Sequence, residues 1–289
     1  MAGGAKRAQR NTAAEAAALV QPGDWLDYGV SFNQPDAFDR ALAARTGELR
    51  DVSFRNCLTV RPRAVLEADP EGETFHCFNW HFSGYDRKQH DAGLCRYIPC
   101  NLGEIPHYYR RFIDRVDIAI LKATPPDAEG FVCIGPNSLW HRAVIERART
   151  LVVEISSQVP RAIGTDNRIH LSEIDYLIEG DAGSTPELPN ATPTEVDRAV
   201  ARFIDNEVED HACLQIGIGG MPNAVCALLL EAGSRVFGIH TEMLNDGLVA
   251  LYRAGRIDGA HKAVEPGRIT YTFALGTRIL YDTVADNAD

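Results

Sequence analysis

The chain has 289 residues, 45% of them hydrophobic and 24% charged, with a formal net charge of −11. That length accommodates two ordinary domains or one large one, and the composition is that of a globular protein. The acidic balance argues against a nucleic-acid partner, which needs a basic face, though not against a local basic pocket for a phosphorylated ligand. No run approaches the roughly 18–20 apolar residues of a membrane span. The start carries Lys6, Arg7 and Arg10 but leads into no apolar segment, so no secretory signal and no membrane association are expected. Seven cysteines, at 57, 77, 95, 100, 133, 213 and 226, form no C-x-x-C pair. They read as mostly buried thiols of a reducing cytoplasm, with no metal site.

In chain order, Ala13–Val20 reads as a short helix, and a strand over Asp24–Val30 follows the Pro22-Gly23 turn. A helix over Ala37–Arg45 and a strand entered at Leu49–Val52 come next. The aromatic stretch Phe75–Tyr85 reads as core and domain contact. Val116–Lys122 is a short apolar run ending at Pro125-Pro126, which suits a buried parallel strand. The pattern then predicts a helix over Ala143–Thr150 and a β-branched strand over Leu151–Ile155. Repeated βα units imply a parallel sheet with helices on both faces.

Gly180–Pro193 is rich in turn formers and lacks periodicity, so a domain boundary is expected there, dividing the chain into 1–187 and 188–289. Beyond it, Thr194 can cap a helix running to about Glu209, with Val196, Val200, Phe203 and Ile204 on one apolar stripe. A second sheet would begin at Ala212. It has room for three or four strands before the polar tail Ala285–Asp289, few for an independent domain.

The most informative stretch is 213–247. An apolar strand runs into Gln215-Ile-Gly217-Ile-Gly219-Gly220-Met221-Pro222, a glycine-rich loop opening a helix, with proline in its first turn. Such a loop aims backbone N–H groups at an anion, whether a phosphate or a carbonyl oxygen turning negative during reaction. A strand-to-helix turn without a ligand would read the same way. One βα unit later an apolar strand is expected to end at Glu242, after His240 and Thr241 and before the break Asn245-Asp-Gly247. If the two strands are neighbours, Glu242 faces the same crevice as the loop. A carboxylate held there could attack an acyl carbon, whereas a lone glutamate is more commonly only hydrogen-bonded or exposed. The spacing Gly217-x-Gly219-x-x-Pro222, with an acid 25 positions after Gly217, also imitates a nicotinamide dinucleotide fingerprint, with its third glycine replaced by proline.

Motifs in order along nearly the whole chain resemble the acetyl-CoA hydrolase/transferase family, in its 4-hydroxybutyrate and butyryl-CoA:acetate CoA-transferase branch. They are Pro22-Gly-Asp, Tyr97-Ile-Pro-Cys-Asn-Leu-Gly-Glu-Ile-Pro106, Gly130-Phe-Val-Cys-Ile-Gly-Pro136, Glu154-Ile-Ser-Ser-Gln-Val-Pro160, Ile169-His-Leu-Ser-Glu-Ile-Asp175, Gln215–Pro222, Gly238-Ile-His-Thr-Glu-Met243 and the final stretch from Gly267. The resemblance implies two open parallel-sheet α/β domains of the CoA-transferase type, the second incomplete and carrying the glycine loop and the catalytic glutamate. It implies that Glu242 attacks an acyl-CoA thioester and passes through a glutamyl-CoA thioester to move CoA to a carboxylic acid. Coenzyme A is then a substrate, and no cofactor is permanently bound. Gln215, Gly217, Ile218, Gly219, Gly220 and Met221 would contact CoA or the oxyanion. Pro99, Gly135 and Pro136 are candidates for the substrate pocket, though glycine and proline there could merely shape turns.

Relatives of this family continue well beyond this chain, with a second glycine-rich motif that is absent here. Either the chain is a fragment or the rest of the second domain is a separate polypeptide; the expectation is a subunit of a heteromeric enzyme whose partner supplies that part. Hydrolysis of the acyl-CoA at the same site and a non-catalytic scaffold are the alternatives.

Overall fold

The computed structural model describes residues 8–181 and 183–289; the basic Lys6 and Arg7 noted above lie outside the described residues. It divides into unit 1, Met1–Val159 with Gly164–Pro186, and unit 2, Pro160–Ile163 with Glu187–Asp289. Among the described residues no helix is long and apolar enough to cross a membrane.

Unit 1 runs β1 (Gln9–Asn11), α1 (Ala13–Ala17), β2 (Trp25–Val30), α2 (Ala37–Ala43), β3 (Val52–Cys57), α3 (Ala64–Glu67), β4 (Phe75–Asn79), α4 (Gly84–Asp91) and β5 (Cys95–Tyr97). It continues with α5 (Ile105–Arg111), β6 (Val116–Ala123), β7 (Phe131–Cys133), α6 (His141–Arg147), β8 (Ala148–Ile155), β9 (Arg168–His170) and β10 (Tyr176–Glu179). Eight strands form one sheet in the order β1-β10-β8-β6-β2-β3-β4-β5, every pair parallel. The short β7 and β9 pair antiparallel beside it.

All eight residues of β6 are buried, as expected of a central parallel strand covered on both faces. The alternation of side chains sorts them. Ile118, Ile120 and Val152 join the core with Leu26, Phe38, Phe54 and Phe75. Ala119, Leu121, Leu151 and Val153 join the opposite core with Val30, Trp80, Tyr109 and Trp140.

The helix predicted over Ala143–Thr150 stops at Arg147. Ala148 already pairs with Val116 and Thr150 with Ile118, so the sheet ladder captures these residues before helix propensity does.

Buried charges in unit 1 are held by partners. The Glu154 carboxylate accepts the N–H groups of Asp36, Ala37 and Phe38 at 3.1, 3.0 and 3.1 Å, at the start of α2, and lies 3.7 Å from Lys122 Nζ. Asp36 pairs with Arg63 at 2.8 Å and with Lys122 and Arg61. Burial pushes the Asp27 carboxyl up to about 6 against the pull of Arg55, 2.7 Å away.

Unit 2 runs α7 (Glu195–Glu207), β11 (Cys213–Leu214), α8 (Gly220–Glu231), β12 (Gly238–Leu244), α9 (Asp246–Arg253), β13 (Thr270–Ala274) and α10 (Arg278–Val284). The three strands form a parallel sheet in chain order. Thr194 caps α7 as read from the sequence, its hydroxyl accepting from the Asp197 N–H at 3.2 Å.

The apolar residues of α7 differ in their cover. Val196 and Phe203 are 72% and 73% exposed, and Val200 is exposed as well. The helix packs on α8 instead, through the neighbouring stripe of buried Ala201 with half-buried Asp197 and Ile204.

Candidate active site

Glu242 does not end its strand. β12 runs on through Met243 to Leu244, and its alternation buries Ile239, Thr241 and Met243 while exposing His240 and Glu242. The carboxylate therefore stands on the open face of the sheet, two residues before the strand's end, because a period of two assigns it to the side opposite Thr241. No hydrogen bond or ion pair from a described residue engages that carboxylate, while the Thr272 hydroxyl on β13 donates to the Glu242 carbonyl at 2.7 Å. Thr272 thus fixes the backbone and leaves the side chain unengaged.

The strands bearing the glycine loop and Glu242 are neighbours, with Cys213 opposite Gly238 and Leu214 opposite Ile239. Carried forward, that register sets Gly217 alongside Glu242. Two side chains hold it there. Buried Thr241 accepts the Ile216 N–H at 3.3 Å, and its hydroxyl is within donating reach of the Ile216 carbonyl at 3.2 Å. Asn245, 4% exposed, donates to the Gly217 carbonyl at 2.7 Å while its Oδ1 accepts the Leu248 N–H at 3.0 Å and caps α9. The residues on either side of the Glu242-Met243-Leu244 segment therefore fasten the loop to the strand that carries Glu242.

The loop glycines differ in what requires them. Gly219 has φ +123° and ψ −178°, a region open essentially to glycine alone, and this turns the chain into α8. A Cβ on Gly220 would come within 2.8 Å of the Asp197 carboxylate, so close packing of α7 accounts for that position. Gly217 answers to neither demand, since a Cβ there would meet nothing within 4 Å. Its bare backbone is open to a ligand. Gln215, Ile218 and Met221 are exposed, and α8 begins without a side-chain cap, so its first N–H groups remain available to an anion.

A pocket of about 260 Å3 adjoins the loop, lined in part by Ile218, Gly219, Asn223, Asn245, Asp246 and Gly276. No Lys or Arg lines it, and the Asp246 carboxylate is already engaged by the Thr277 N–H at 2.9 Å and hydroxyl at 2.6 Å. Carboxamides and apolar groups dominate, a lining suited to a neutral chain with amide groups more than to a phosphate.

The pocket candidates of unit 1 lie on separate segments. Pro99 is exposed just after β5, whereas Gly135 and Pro136 are buried in the turn after β7. Gly135 has φ +74°, and its carbonyl accepts from Asn167 Nδ2 at 3.2 Å. Next to them Asn137, 1% exposed, donates to the Val30 carbonyl at 3.0 Å and to Asn33 Oδ1 at 2.6 Å.

Sequence reasoning missed Thr241 and Asn245. Asn245-Asp-Gly247 was read as a chain break, yet an asparagine followed by an acid and an apolar run is also the opening of a capped helix. No comparable signal marked Thr241, whose role depends on the neighbouring strand.

Comparison with known proteins places this geometry. The acetyl-CoA hydrolase/transferase N-terminal domain matches residues 6–189. A butyryl-CoA:acetate CoA-transferase from Anaerostipes caccae is 39% identical over 280 residues, 96% of this chain and 63% of that protein. The crystal structure of RipA from Yersinia pestis matches with a TM-score of 0.87 at 27% identity, covering 97% of this chain and 66% of that one. A 4-hydroxybutyrate CoA-transferase structure from Porphyromonas gingivalis matches with a TM-score of 0.77 at 25% identity, covering 96% and 65%. The chain thus spans under two thirds of the length of these proteins. It belongs to the acetyl-CoA hydrolase/transferase family.

Proposed function

We propose that this chain is the glutamate-bearing part of a CoA-transferase, acting together with a second polypeptide that completes its C-terminal domain. The observation that carries the reading is the unengaged Glu242 carboxylate, on the open sheet face and in register with the glycine loop that Thr241 and Asn245 hold. Its chemistry is carboxylate exchange. Glu242 attacks the thioester carbonyl of an acyl-CoA, a mixed anhydride forms and CoA thiolate leaves. The thiolate then attacks the glutamyl carbonyl, and the acyl group departs as a carboxylate. An incoming acid takes CoA by the reverse steps. Each step passes through a tetrahedral oxyanion, for which the Gly217–Met221 backbone and the start of α8 are suitably placed donors. The pocket beside the loop, lined by Leu188, Pro189, Ile218 and Leu275 without a Lys or Arg, is proposed to take an uncharged part of CoA. Pro99 and the Gly135-Pro136 turn are proposed to shape the acyl side.

The test is mass spectrometry of the chain with its partner after incubation with acyl-CoA and borohydride. A reductive mass change confined to Glu242 supports the reading, and its absence in a demonstrably active complex moves the chain to a scaffold role. Product release without an acceptor acid would favour hydrolysis. A stable, fully active enzyme formed by this chain alone would rule out the second polypeptide.

A further inference from the structure

Unit 1 contains two thiols that the transfer chemistry does not use. Cys77 is the third residue of β4 and Cys95 the first of β5, and the ladder sets them directly opposite each other. Opposed residues on neighbouring strands point to the same face of a sheet, and both side chains enter the core that holds Val52, Phe54 and Phe75. Their sulfurs lie 3.1 Å apart, and the two residues are 0% and 2% exposed. Both are free thiols.

This arrangement is already close to the covalent one. Neighbouring strands run about 4.8 Å apart, inside the roughly 4.4–6.8 Å between Cα atoms that a disulfide spans. A bond of about 2.05 Å therefore needs only about 1 Å of sulfur movement, which small side-chain rotations supply. The pair is also placed so that one thiol can be reached. β5 is three residues long and ends the sheet, with β4 as its one ladder partner among the described residues. Its cover comes from His90 of α4, whose Nδ1 lies 2.8 Å from the Cys95 carbonyl oxygen, and from Phe82, which packs edge-on against Tyr97. A short edge strand opens locally at less cost than a central one, and its opening exposes Cys95. Cys77 stays between β3 and β5, where burial and then the neighbouring Cys95 push its thiol well up.

We infer that Cys77 and Cys95 form a reversible disulfide that staples the edge strand β5 to β4, with a hydroperoxide as the oxidant. When β5 opens, the Cys95 thiolate attacks hydrogen peroxide. An S–O bond forms, the O–O bond breaks, and the departing hydroxide takes up the proton that the thiol released. When β5 closes, the Cys77 sulfur attacks the Cys95 sulfenic sulfur. The S–S bond forms, the S–O bond breaks, and the oxygen leaves as water with the Cys77 proton. The two thiols lose two electrons, and one peroxide becomes two waters. The two cysteines are 18 positions apart, so the cross-link also restricts the unfolded chain. Because β5 leads directly into Ile98 and Pro99, the bond fixes where that segment starts.

The test is oxidation of the 289-residue chain by hydrogen peroxide, with exposed Cys213 and half-buried Cys100 replaced by serine so that the accessible thiols do not compete. Of the five thiols left from the original seven, three should still react in denaturant. The intact mass should fall by two hydrogens, and peptide mapping should find Cys77 joined to Cys95. Hydrogen exchange at Arg96 and Tyr97 should slow, and the thermal midpoint should rise by roughly 5–10 °C, both reversed by dithiothreitol. Cys77→Ala, which leaves Cys95 without its resolving thiol, should accumulate a sulfenic acid at Cys95 that dimedone traps. Should that variant not fold, the linked peptide in its parent decides the matter. The inference is overturned if all five thiols survive under conditions where exchange shows β5 opening. It is equally overturned if either cysteine joins a different one, or if Cys95 goes on to sulfinic acid unlinked. A link that leaves exchange at β5 and the midpoint unchanged would overturn the staple.

Discussion

The two units solve the same architectural problem to different degrees. Unit 1 covers both faces of an eight-stranded sheet and pairs its buried charges. Unit 2 has three strands and leaves one face of β12 open at His240 and Glu242. Of the ten large apolar side chains exposed among the described residues, eight lie in unit 2, although it holds little more than a third of the chain. Exposed apolar residues scattered singly are ordinary, but on α7 Val196, Val200 and Phe203 share one helix face. The difference teaches that burial and exposure are divided here: one unit is a covered core, and the other carries the glycine loop and Glu242 on open surface.

The sharpest way to break that division is Glu242→Gln in the assembled enzyme. Acyl transfer should fall at least about 1,000-fold, while the melting of unit 1 stays unchanged. A loss below tenfold in initial-rate assays would remove Glu242 from the chemistry. The converse cut is Glu154→Ala in unit 1. It strips three N–H groups at the start of α2 of their acceptor and leaves Lys122 with Asp36 alone, and should cost about 3–5 kcal/mol in urea unfolding.

Acid should also strike unit 1. His141 is 4% exposed with neither ring nitrogen partnered, and burial lowers its pKa from 6.5 to about 4. The unfolded chain therefore binds more protons between those values. The contribution is fully present above pH 6.5 and is lost as the pH falls toward 4, by about 3 kcal/mol at most. Asp27 and Asp39, raised by burial to about 6, pull the other way in that window, so the measurement is the difference in unfolding between the chain and His141→Phe, which should shift in favour of the variant as the pH falls from 6.5 to 4.

The smallest effect sharpens the picture within unit 2. Asn245→Ala should destabilise by about 1 kcal/mol through loss of the α9 cap, and slow transfer about tenfold by releasing Gly217. Asn245→Asp keeps the capping oxygen but not the donor. It should therefore retain stability while losing activity, a split that melting curves and initial rates together would resolve.

Much of unit 1 was legible before the structure. Val116–Ala123 and Leu151–Ile155 announce themselves because a strand buried on both faces must be apolar throughout. The Thr194 cap and the glycine loop were equally legible, since both are local chemistry. The cover of the α7 stripe was not legible, because periodicity reports that a face is apolar, not that anything covers it. The end of the helix at Arg147 and the extension of β12 past Glu242 were misjudged for a related reason. In both, pairing with a neighbouring strand sets the boundary.

By itself, then, the sequence determined the family motifs, the alternation of strands and helices, and the presence of a carboxylate one βα unit beyond a glycine loop. These depend on residue type and short spacing, which local sterics and hydrogen bonding translate directly. Only the tertiary structure decided that Glu242 stands on the open face of β12, that Thr241 and Asn245 clamp the loop, and that Gly217, unlike Gly219 and Gly220, is required neither by its backbone angles nor by close packing. Those outcomes depend on strand register and on which helix lies against which, and these are set by contacts between residues far apart in the chain.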